Sequence, residues 1–229
     1  MGFIQPGAEA HPSPNHGPRR GDARPDMVVL HYTEMGSDAA LGRLCDPAAE
    51  VSAHYLISET GHVWQLVPED RRAWHAGRGQ WGTVEDVNSR SVGIELANPG
   101  DTPFPEPQMR ALEAVMRGIM ARWPVPPERV IAHSDMAPMR KRDPGPKFDW
   151  RRLALQGLSV WPRPGAAGGA FIDAARAFGY PPDAAPRDVL RAFRLRFRPW
   201  AKGPRDATDT ALAADLAARF PVDRGGPSP

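Results

Sequence analysis

Short apolar runs rich in valine, isoleucine and leucine recur along the first part of the chain, each bounded by polar or turn-forming residues. Runs of this length and composition predict buried β-strands, here over residues 27–33, 52–58, 62–68, 91–97 and 129–135. The Glu-Thr-Gly triplet between the second and third runs predicts a β-hairpin. Polar side chains follow several of these runs, so we expect the ends of the strands to open onto a site.

Two segments between these runs have the period of an amphipathic helix instead. Residues 37–45 begin at a Ser-Asp pair that can cap a helix, and residues 105–123 carry apolar side chains at helical spacing. Those of the longer segment are Met109, Leu112, Val115, Met116, Ile119 and Met120. Strands interleaved with helices predict an α/β fold with a mixed central β-sheet flanked by helices.

The pattern changes after a stretch rich in proline and glycine, WPRPGAAGG at 161–169. Three short amphipathic segments follow, and three such helices can bury one small core together, which predicts a C-terminal three-helix bundle. We therefore predict four regions. These are a flexible N-terminal arm over 1–24, the main α/β domain over 25–161, a linker over 162–169 and a helical domain over 170–222.

The composition of the 229-residue chain narrows the function classes. A formal net charge of +2 is too small to indicate a nucleic-acid partner. No apolar run approaches the ~20 residues that a membrane span needs, and the first residues lack the apolar segment of a signal peptide. The single cysteine, Cys45, excludes an internal disulfide. We expect a cytoplasmic monomer, with a periplasmic location or release by cell lysis as the alternatives.

Candidate chemistry lies at the ends of three predicted strands. His31 follows one apolar run, Glu95 lies within another, and His133 ends a third, with Asp143 ten residues further on between prolines that restrict the backbone. Two histidines and one carboxylate form a common catalytic zinc set with an open fourth position. Spacing alone leaves the alternative open that these are structural histidines, because the chain has seven histidines and a histidine at a strand end is more often structural than a ligand. The HExxH signature of many zinc proteases is also absent.

A stripe of arginines marks the second predicted C-terminal helix. Arg187, Arg191, Arg194 and Arg198 fall on one side of that helix. We expect this stripe to be a solvated face. The alternative is a basic surface that binds an anionic polymer, such as the peptide carboxylates of a cell wall.

Five stretches of the chain carry a family resemblance: VVLHYT, VSAHYLI, VWQLVPEDRRAWHAG, SVGIELAN and IAHSDMAPMRKRDPGPKFDW. In order and spacing they resemble the type-2 zinc N-acetylmuramoyl-L-alanine amidases, relatives of the peptidoglycan recognition proteins. The resemblance runs from about residue 27 to 161. The C-terminal stretch LRAFRLRFRPWAKGPRDATDTALAADLAARF resembles the three-helix peptidoglycan-binding domain often fused to such enzymes.

The resemblance implies a role for each candidate residue. His31, His133 and Asp143 would hold zinc. Glu95 would be the general base that takes a proton from the attacking water, and Lys141 would stabilise the oxyanion of the tetrahedral intermediate. Four further residues in the family motifs are candidates for contact with substrate: His54, Trp74, His75 and Asn98.

The implied reaction is hydrolysis of the amide bond between N-acetylmuramic acid, or its anhydro form, and the L-alanine of the stem peptide. The substrate would be peptidoglycan or a soluble muropeptide. The alternative is a non-catalytic module that recognises peptidoglycan fragments, but the presence of all three implied ligands favours the enzyme. The sequence leaves open whether the physiological role is muropeptide recycling or lysis of the wall.

Overall fold

The computed structural model describes residues 3–163, 165 and 169–222. Within these ranges the chain forms eight β-strands and eight α-helices. The strands are β1 (Glu9–Ala10), β2 (His16–Pro18), β3 (Met27–Tyr32), β4 (Tyr55–Ile57), β5 (Val63–Gln65), β6 (Arg71–Ala73), β7 (Ser91–Leu96) and β8 (Val130–Ala132). The helices are α1 (Ser37–Cys45), α2 (Val87–Arg90), α3 (Glu106–Arg122), α4 (His133–Met136), α5 (Trp150–Leu155), α6 (Phe171–Phe178), α7 (Pro186–Phe197) and α8 (Ala207–Arg219).

Six of the strands form one mixed sheet in the order β1-β5-β4-β7-β3-β8. β3 lies between β7 and β8 and runs parallel to both, whereas β4 and β5 form the antiparallel hairpin that the sequence predicts. β2 and β6 form a separate two-stranded antiparallel ladder. The predicted α/β fold with a mixed central sheet flanked by helices is confirmed.

Successive side chains of β3 lie on opposite faces of the sheet, as strand geometry requires. Val28 and Leu30 share a hydrophobic cluster with the buried side of α3. Met27 and Val29 belong to a different cluster, which they share with α6, α7 and α8. His31 has the same alternation as Met27 and Val29, so it lies on the face of the sheet that the C-terminal helices partly cover.

Another helix covers a second part of this face. Leu56 of β4 packs in a third cluster with Ala40 and Leu44 of α1. An open cleft separates α1 from the C-terminal helices on this face. Its walls include Ala40 and Leu44 of α1 and Arg191 of α7. The cleft lies at the carboxyl ends of β3 and β7, where polar side chains follow the apolar ones.

Two expectations about the N-terminal and central segments need correction. Residues 3–24 are not a loosely ordered arm, because β1 pairs with β5, β2 pairs with β6, and Arg19 is buried with hydrogen bonds to backbone carbonyls. The strand predicted over 129–135 ends at Ala132, and His133 begins the helical turn α4. Asp135 caps this turn by accepting the Ala132 N–H, which explains why the extended backbone stops there.

The C-terminal helices form the predicted three-helix arrangement, and they pack directly on the sheet. Residues 164 and 166–168 of the predicted linker lie outside the described residues. The arginine stripe on α7 is not the solvated face expected. Arg194 is buried and pairs with Asp209 of α8 at 2.6 Å, and Arg198 pairs with the same carboxylate. Arg187 is the exposed member, with 89% of its side chain accessible.

Candidate active site

The cleft between α1 and α7 has a volume of about 570 Å³. His31, Glu95, His133 and Asp143 lie in it, although they come from separate segments of the chain. Parallel strands that are neighbours end at the same edge of a sheet, so β3 and β7 place His31 and Glu95 side by side. β8 ends at the same edge and delivers His133 in the first turn beyond it.

Three side-chain atoms converge in this cleft. The Nδ1 atoms of His31 and His133 are 2.9 Å apart, and each lies 3.0 Å from Asp143 Oδ2. All three residues are buried. The backbone fixes two of them relative to each other, because the N–H of Ser134 donates to the carbonyl of Asp143 at 3.0 Å. The sequence-predicted ligands are therefore brought together in a group that could hold a metal ion.

The hydrogen bonds of His133 set its tautomer. Its Nε2 atom lies 2.9 Å from the carbonyl oxygen of Ala76. A carbonyl oxygen can only accept, so Nε2 carries the proton and Nδ1 is left with a lone pair. That lone pair is on the nitrogen beside Asp143, as metal coordination requires.

A longer chain of hydrogen bonds sets the tautomer of His31. The hydroxyl of Ser91 donates its one proton to the carbonyl of Val87 at 2.6 Å. Ser91 Oγ must then accept from His75 Nε2 at 3.2 Å, which leaves His75 Nδ1 as an acceptor. His75 Nδ1 accepts in turn from His31 Nε2 at 3.1 Å. The Nδ1 atom of His31 is therefore unprotonated where it meets His133 and Asp143.

The sheet leaves room for the imidazole of His75 at a glycine. A Cβ atom on Gly93 would lie 2.4 Å from Cγ of His75, so any other residue at this position of β7 would displace the ring. Gly93 lies between Ser91 and Glu95 on the same face of the strand. The strand SVGIEL thus supplies the hydrogen-bond partner of His75, the space for its ring, and the carboxylate of Glu95.

The electrostatics of the site favour a neutral imidazole beside a charged carboxylate. Burial, with a contribution from His133, lowers the pKa of His31 to about 4. Burial opposes ionisation of Asp143, but His133 and His31 outweigh it and hold the pKa of that carboxyl below its ordinary value. At neutral pH both groups are therefore in the protonation state of a metal ligand.

These donors fit zinc. Two imidazole nitrogens and one carboxylate oxygen are a ligand set of catalytic zinc sites, in which the fourth position stays open. With zinc–ligand distances of ~2.0–2.2 Å, the ligand atoms of a tetrahedral site lie about 3.3 Å apart. The separations of 2.9–3.0 Å between the donor atoms are close to that value.

Glu95 lies beside the three donors without being one of them. Its Oε1 atom is 4.0 Å from Nδ1 of His31. Its Oε2 atom is buried and has no hydrogen-bond partner among the described residues. Burial and the nearby Asp143 raise the pKa of this carboxyl well above its usual value, while Lys141 opposes the rise. A buried carboxylate oxygen that no protein group satisfies is available to a proton of water or substrate.

The wall of the cleft is basic. Lys141 lies in it, half-buried, two residues before Asp143. The cleft is also lined by Arg43 of α1, by Arg142 in the segment before Asp143, and by Arg191 of α7. A cleft with this lining attracts an anionic ligand.

Two of the four residues expected to contact substrate line the cleft, and two do not. Trp74 lines the cleft. His75 lines it too, but both of its ring nitrogens are engaged, by His31 and Ser91.

The other two candidates do not line the cleft. His54 is buried, with Nδ1 accepting the N–H of Gly93 at 2.9 Å and Nε2 lying 3.0 Å from the carbonyl of Arg71. Asn98 is also buried, and its Oδ1 atom accepts the N–H of Gly100 at 2.7 Å. Hydrogen bonds to backbone occupy both side chains, so His54 joins strand segments and Asn98 shapes the loop after β7.

A family model described as N-acetylmuramoyl-L-alanine amidase matches residues 21–146, which include His31, Glu95, His133 and Asp143. The chain belongs to this amidase family. The resemblance seen in the five sequence motifs, and the prediction of an amidase, are thereby confirmed.

Relatives of this amidase extend the match beyond that range. It is similar to the N-acetylmuramoyl-L-alanine amidase AmiD of Escherichia coli (strain K12), with 37% identity over 86% of this chain and 84% of the relative. It is also similar to the 1,6-anhydro-N-acetylmuramyl-L-alanine amidase AmpD of Enterobacter cloacae, with 39% identity over 62% of this chain and 86% of the relative. Among solved structures, the complex of E. coli AmiD with the substrate anhydro-N-acetylmuramic acid-L-Ala-D-γ-Glu-L-Lys has a TM-score of 0.78. The identity there is 34%, over 92% of this chain and 93% of that one.

Proposed function

We propose that this amidase hydrolyses the bond between the lactyl group of N-acetylmuramic acid, or of its anhydro form, and the L-alanine of a stem peptide, with zinc held by His31, His133 and Asp143. The observation that carries the proposal is the convergence of their three donor atoms within 3.0 Å of one another, beside a buried carboxylate oxygen of Glu95 that has no partner in the described part of the chain. A binding module has no need of such a group in the floor of its cleft.

The side chains around the three donor atoms have different roles in the proposed reaction. When bound, zinc polarises the carbonyl that is attacked and makes water a stronger nucleophile. Glu95 takes a proton from the attacking water and passes it to the amine of L-alanine as that amine leaves. Its raised pKa suits both tasks, because a carboxylate that binds a proton more tightly than usual takes one from water more readily and can then return it to the amine. Lys141 places a positive charge in the cleft, where it stabilises the oxyanion.

The substrate is a muropeptide. The AmiD complex contains an anhydro-muramyl tripeptide, and AmpD is described as acting on the anhydro form. A stem peptide carries carboxylates, and the arginines of the cleft wall match that charge. Trp74 offers an aromatic face in the same cleft for the sugar ring.

The cellular location of the reaction, the oligomeric state of the protein and its binding to the cell wall stay predictions. None of the helices in the described ranges is long and apolar enough to cross a bilayer. The cytoplasmic location, the monomeric state and the wall-binding role of the C-terminal helices are tested by cell fractionation, by light scattering of the purified protein and by sedimentation with sacculi.

Mass spectrometry of the reaction products tests the proposed activity. The purified protein is incubated with a soluble anhydro-muropeptide and with intact sacculi, with and without a chelator. We expect release of free stem peptide that the chelator abolishes and zinc restores. Binding of the muropeptide without any release of peptide from either substrate would contradict the proposal.

A further inference from the structure

The carboxylate of Asp135 links the metal-binding segment to the C-terminal helices. Asp135 lies two residues after His133, and its Oδ2 atom accepts the N–H of Ala132 at 2.9 Å, which caps the turn that His133 begins. Two further donors to Asp135 come from the C-terminal region. The hydroxyl of Tyr180, just after α6, is 2.7 Å from Oδ1, and Nη1 of Arg196 in α7 is 2.5 Å from Oδ2.

Arg196 binds a group on each side of His133, a backbone carbonyl before it and the side chain of Asp135 after it. Besides its contact with Asp135 beyond the histidine, its Nη2 atom donates to the carbonyl of Val130 at 2.9 Å, at the start of β8. Its guanidinium also lies over the ring of Trp150, with 4.3 Å from Cζ to the ring centroid. The side chains of Arg196 and Asp135 are both 0% exposed. One buried guanidinium therefore fixes the strand before the ligand and the turn after it.

Two further features strengthen this connection. Burial and Asp135 raise the pKa of Tyr180 well above its usual value, so the phenol keeps the proton that it donates. Arg191 of α7 donates to the carbonyl of Pro138, in the segment that joins His133 to Asp143. The C-terminal helices thus contact the ligand-bearing segment at Asp135 and again at Pro138.

We propose that Arg196 and Tyr180 are positioning residues of the zinc site, which act on His133 through Asp135. The inference rests on the zinc site of the proposed function. The C-terminal helices are then part of the catalytic unit, whatever their affinity for the wall. A metal ligand must be held in place to bind tightly, and loss of a residue that orients a ligand typically costs 10–100-fold in metal affinity.

Zinc affinity of point variants in the full chain tests this role. Tyr180→Phe removes one hydrogen bond to Asp135, and Arg196→Lys keeps the charge but cannot bond Asp135 and Val130 in the same way. The dissociation constant for zinc is measured by competition with a chromogenic chelator, well below each melting temperature. We expect a rise of about tenfold for Tyr180→Phe and of tenfold or more for Arg196→Lys, together with a lower kcat at nearly unchanged KM.

Two control variants separate positioning from general stability. Leu216→Ala, in α8, weakens the hydrophobic cluster to which Tyr180 also belongs, without changing a contact of Asp135. Arg187→Lys alters an exposed arginine of α7. Both should bind zinc within about twofold of the wild type, even where Leu216→Ala lowers the melting temperature more than Tyr180→Phe does. Equal zinc affinity in Tyr180→Phe, Arg196→Lys and the wild type would overturn the inference, as would an equal loss in Leu216→Ala. A wild-type protein that does not bind zinc would overturn the proposed function itself.

Discussion

His31 and Glu95 are partners in the parallel ladder between β3 and β7, and their side chains end 4.0 Å apart on the same face of the sheet. The register of two central strands therefore sets the distance between a metal ligand and the proposed base. A shift of either strand by one residue would place one of these side chains on the opposite face. The apolar residues before His31 and around Glu95 lock this register, because they are buried on both faces.

Asp143 is expected to be indispensable for metal binding. The variant Asp143→Ala leaves two histidines, which form an incomplete site, so we expect loss of zinc and of all measurable turnover. Elemental analysis of the dialysed protein measures the zinc content. Asp183→Ala, at an exposed position, is the matched control and should keep wild-type zinc. Full zinc occupancy in Asp143→Ala would remove this residue from the ligand set.

Ser91 is expected to affect metal binding from a distance, through His75 and His31. Ser91→Ala removes the acceptor that fixes the proton of His75 on Nε2, so His31 is no longer held in the tautomer that binds metal. We expect the dissociation constant for zinc to rise about tenfold. Ser13→Ala is the control, because Ser13 is also buried and also donates to a carbonyl, that of Leu44. Zinc affinity equal to that of the control would argue against the hydrogen-bond chain.

The sequence predicts where the candidate ligands lie, because short-range signals place them at the ends of strands. His31 and His133 each follow an apolar run that becomes a strand of the main sheet, and the neighbouring parallel strands β3 and β8 bring these ends together. The stiff segment after His133 then delivers Asp143 to the same point. Local pattern and sheet topology account for the positions of these residues, whereas their role as metal ligands is implied by the family resemblance.

The sequence does not predict contacts that depend on partners far along the chain. The helical period groups Arg194 with the exposed Arg187 of α7, but in the structure Arg194 forms a buried ion pair with Asp209 of α8. No motif in the sequence marks Arg196 as a functional residue, and its partner Asp135 lies 61 positions earlier in the chain. Membership of a motif also does not distinguish a side chain that lines the cleft from one that bonds to backbone, as His54 shows.

The stability of the metal-free protein is expected to fall at mildly acidic pH. Burial, and then the nearby Arg19, lowers the pKa of His54 to about 3, whereas an unfolded histidine titrates near 6.5. Between these values the unfolded state binds a proton that the folded state does not, so stability is lost as the pH falls below ~6.5. From pH 7 to pH 5 this histidine alone accounts for about 2 kcal/mol of the free energy of unfolding.

Urea denaturation in the presence of a chelator, at pH 7 and pH 5, measures this loss. His54→Gln can keep both backbone hydrogen bonds without titrating, so its stability should fall less than that of the wild type. His62→Gln changes an exposed histidine and should show the wild-type loss. An undiminished loss in His54→Gln would mean that other groups cause the acid sensitivity.

Lys141 is expected to contribute to turnover without contributing to metal binding. Lys141→Met removes the positive charge from the cleft, and loss of one group that stabilises an oxyanion typically lowers kcat by about 10²–10³. The zinc content should stay at the wild-type level. Lys147→Met is the control, because Lys147 is exposed and does not line the cleft. A kcat within twofold of the control would exclude the oxyanion role.

The most direct test of the account measures zinc content and turnover together in Glu95→Gln. This variant keeps the shape of the side chain but cannot take a proton, so we expect one zinc per chain, as in the wild type, and a kcat lower by about 10²–10⁴. Leu96→Met, a volume-conserving change in the same strand, is the control for the effect of altering β7. Wild-type turnover in zinc-loaded Glu95→Gln would contradict the assignment of the base, whereas loss of zinc would make Glu95 a part of the metal site.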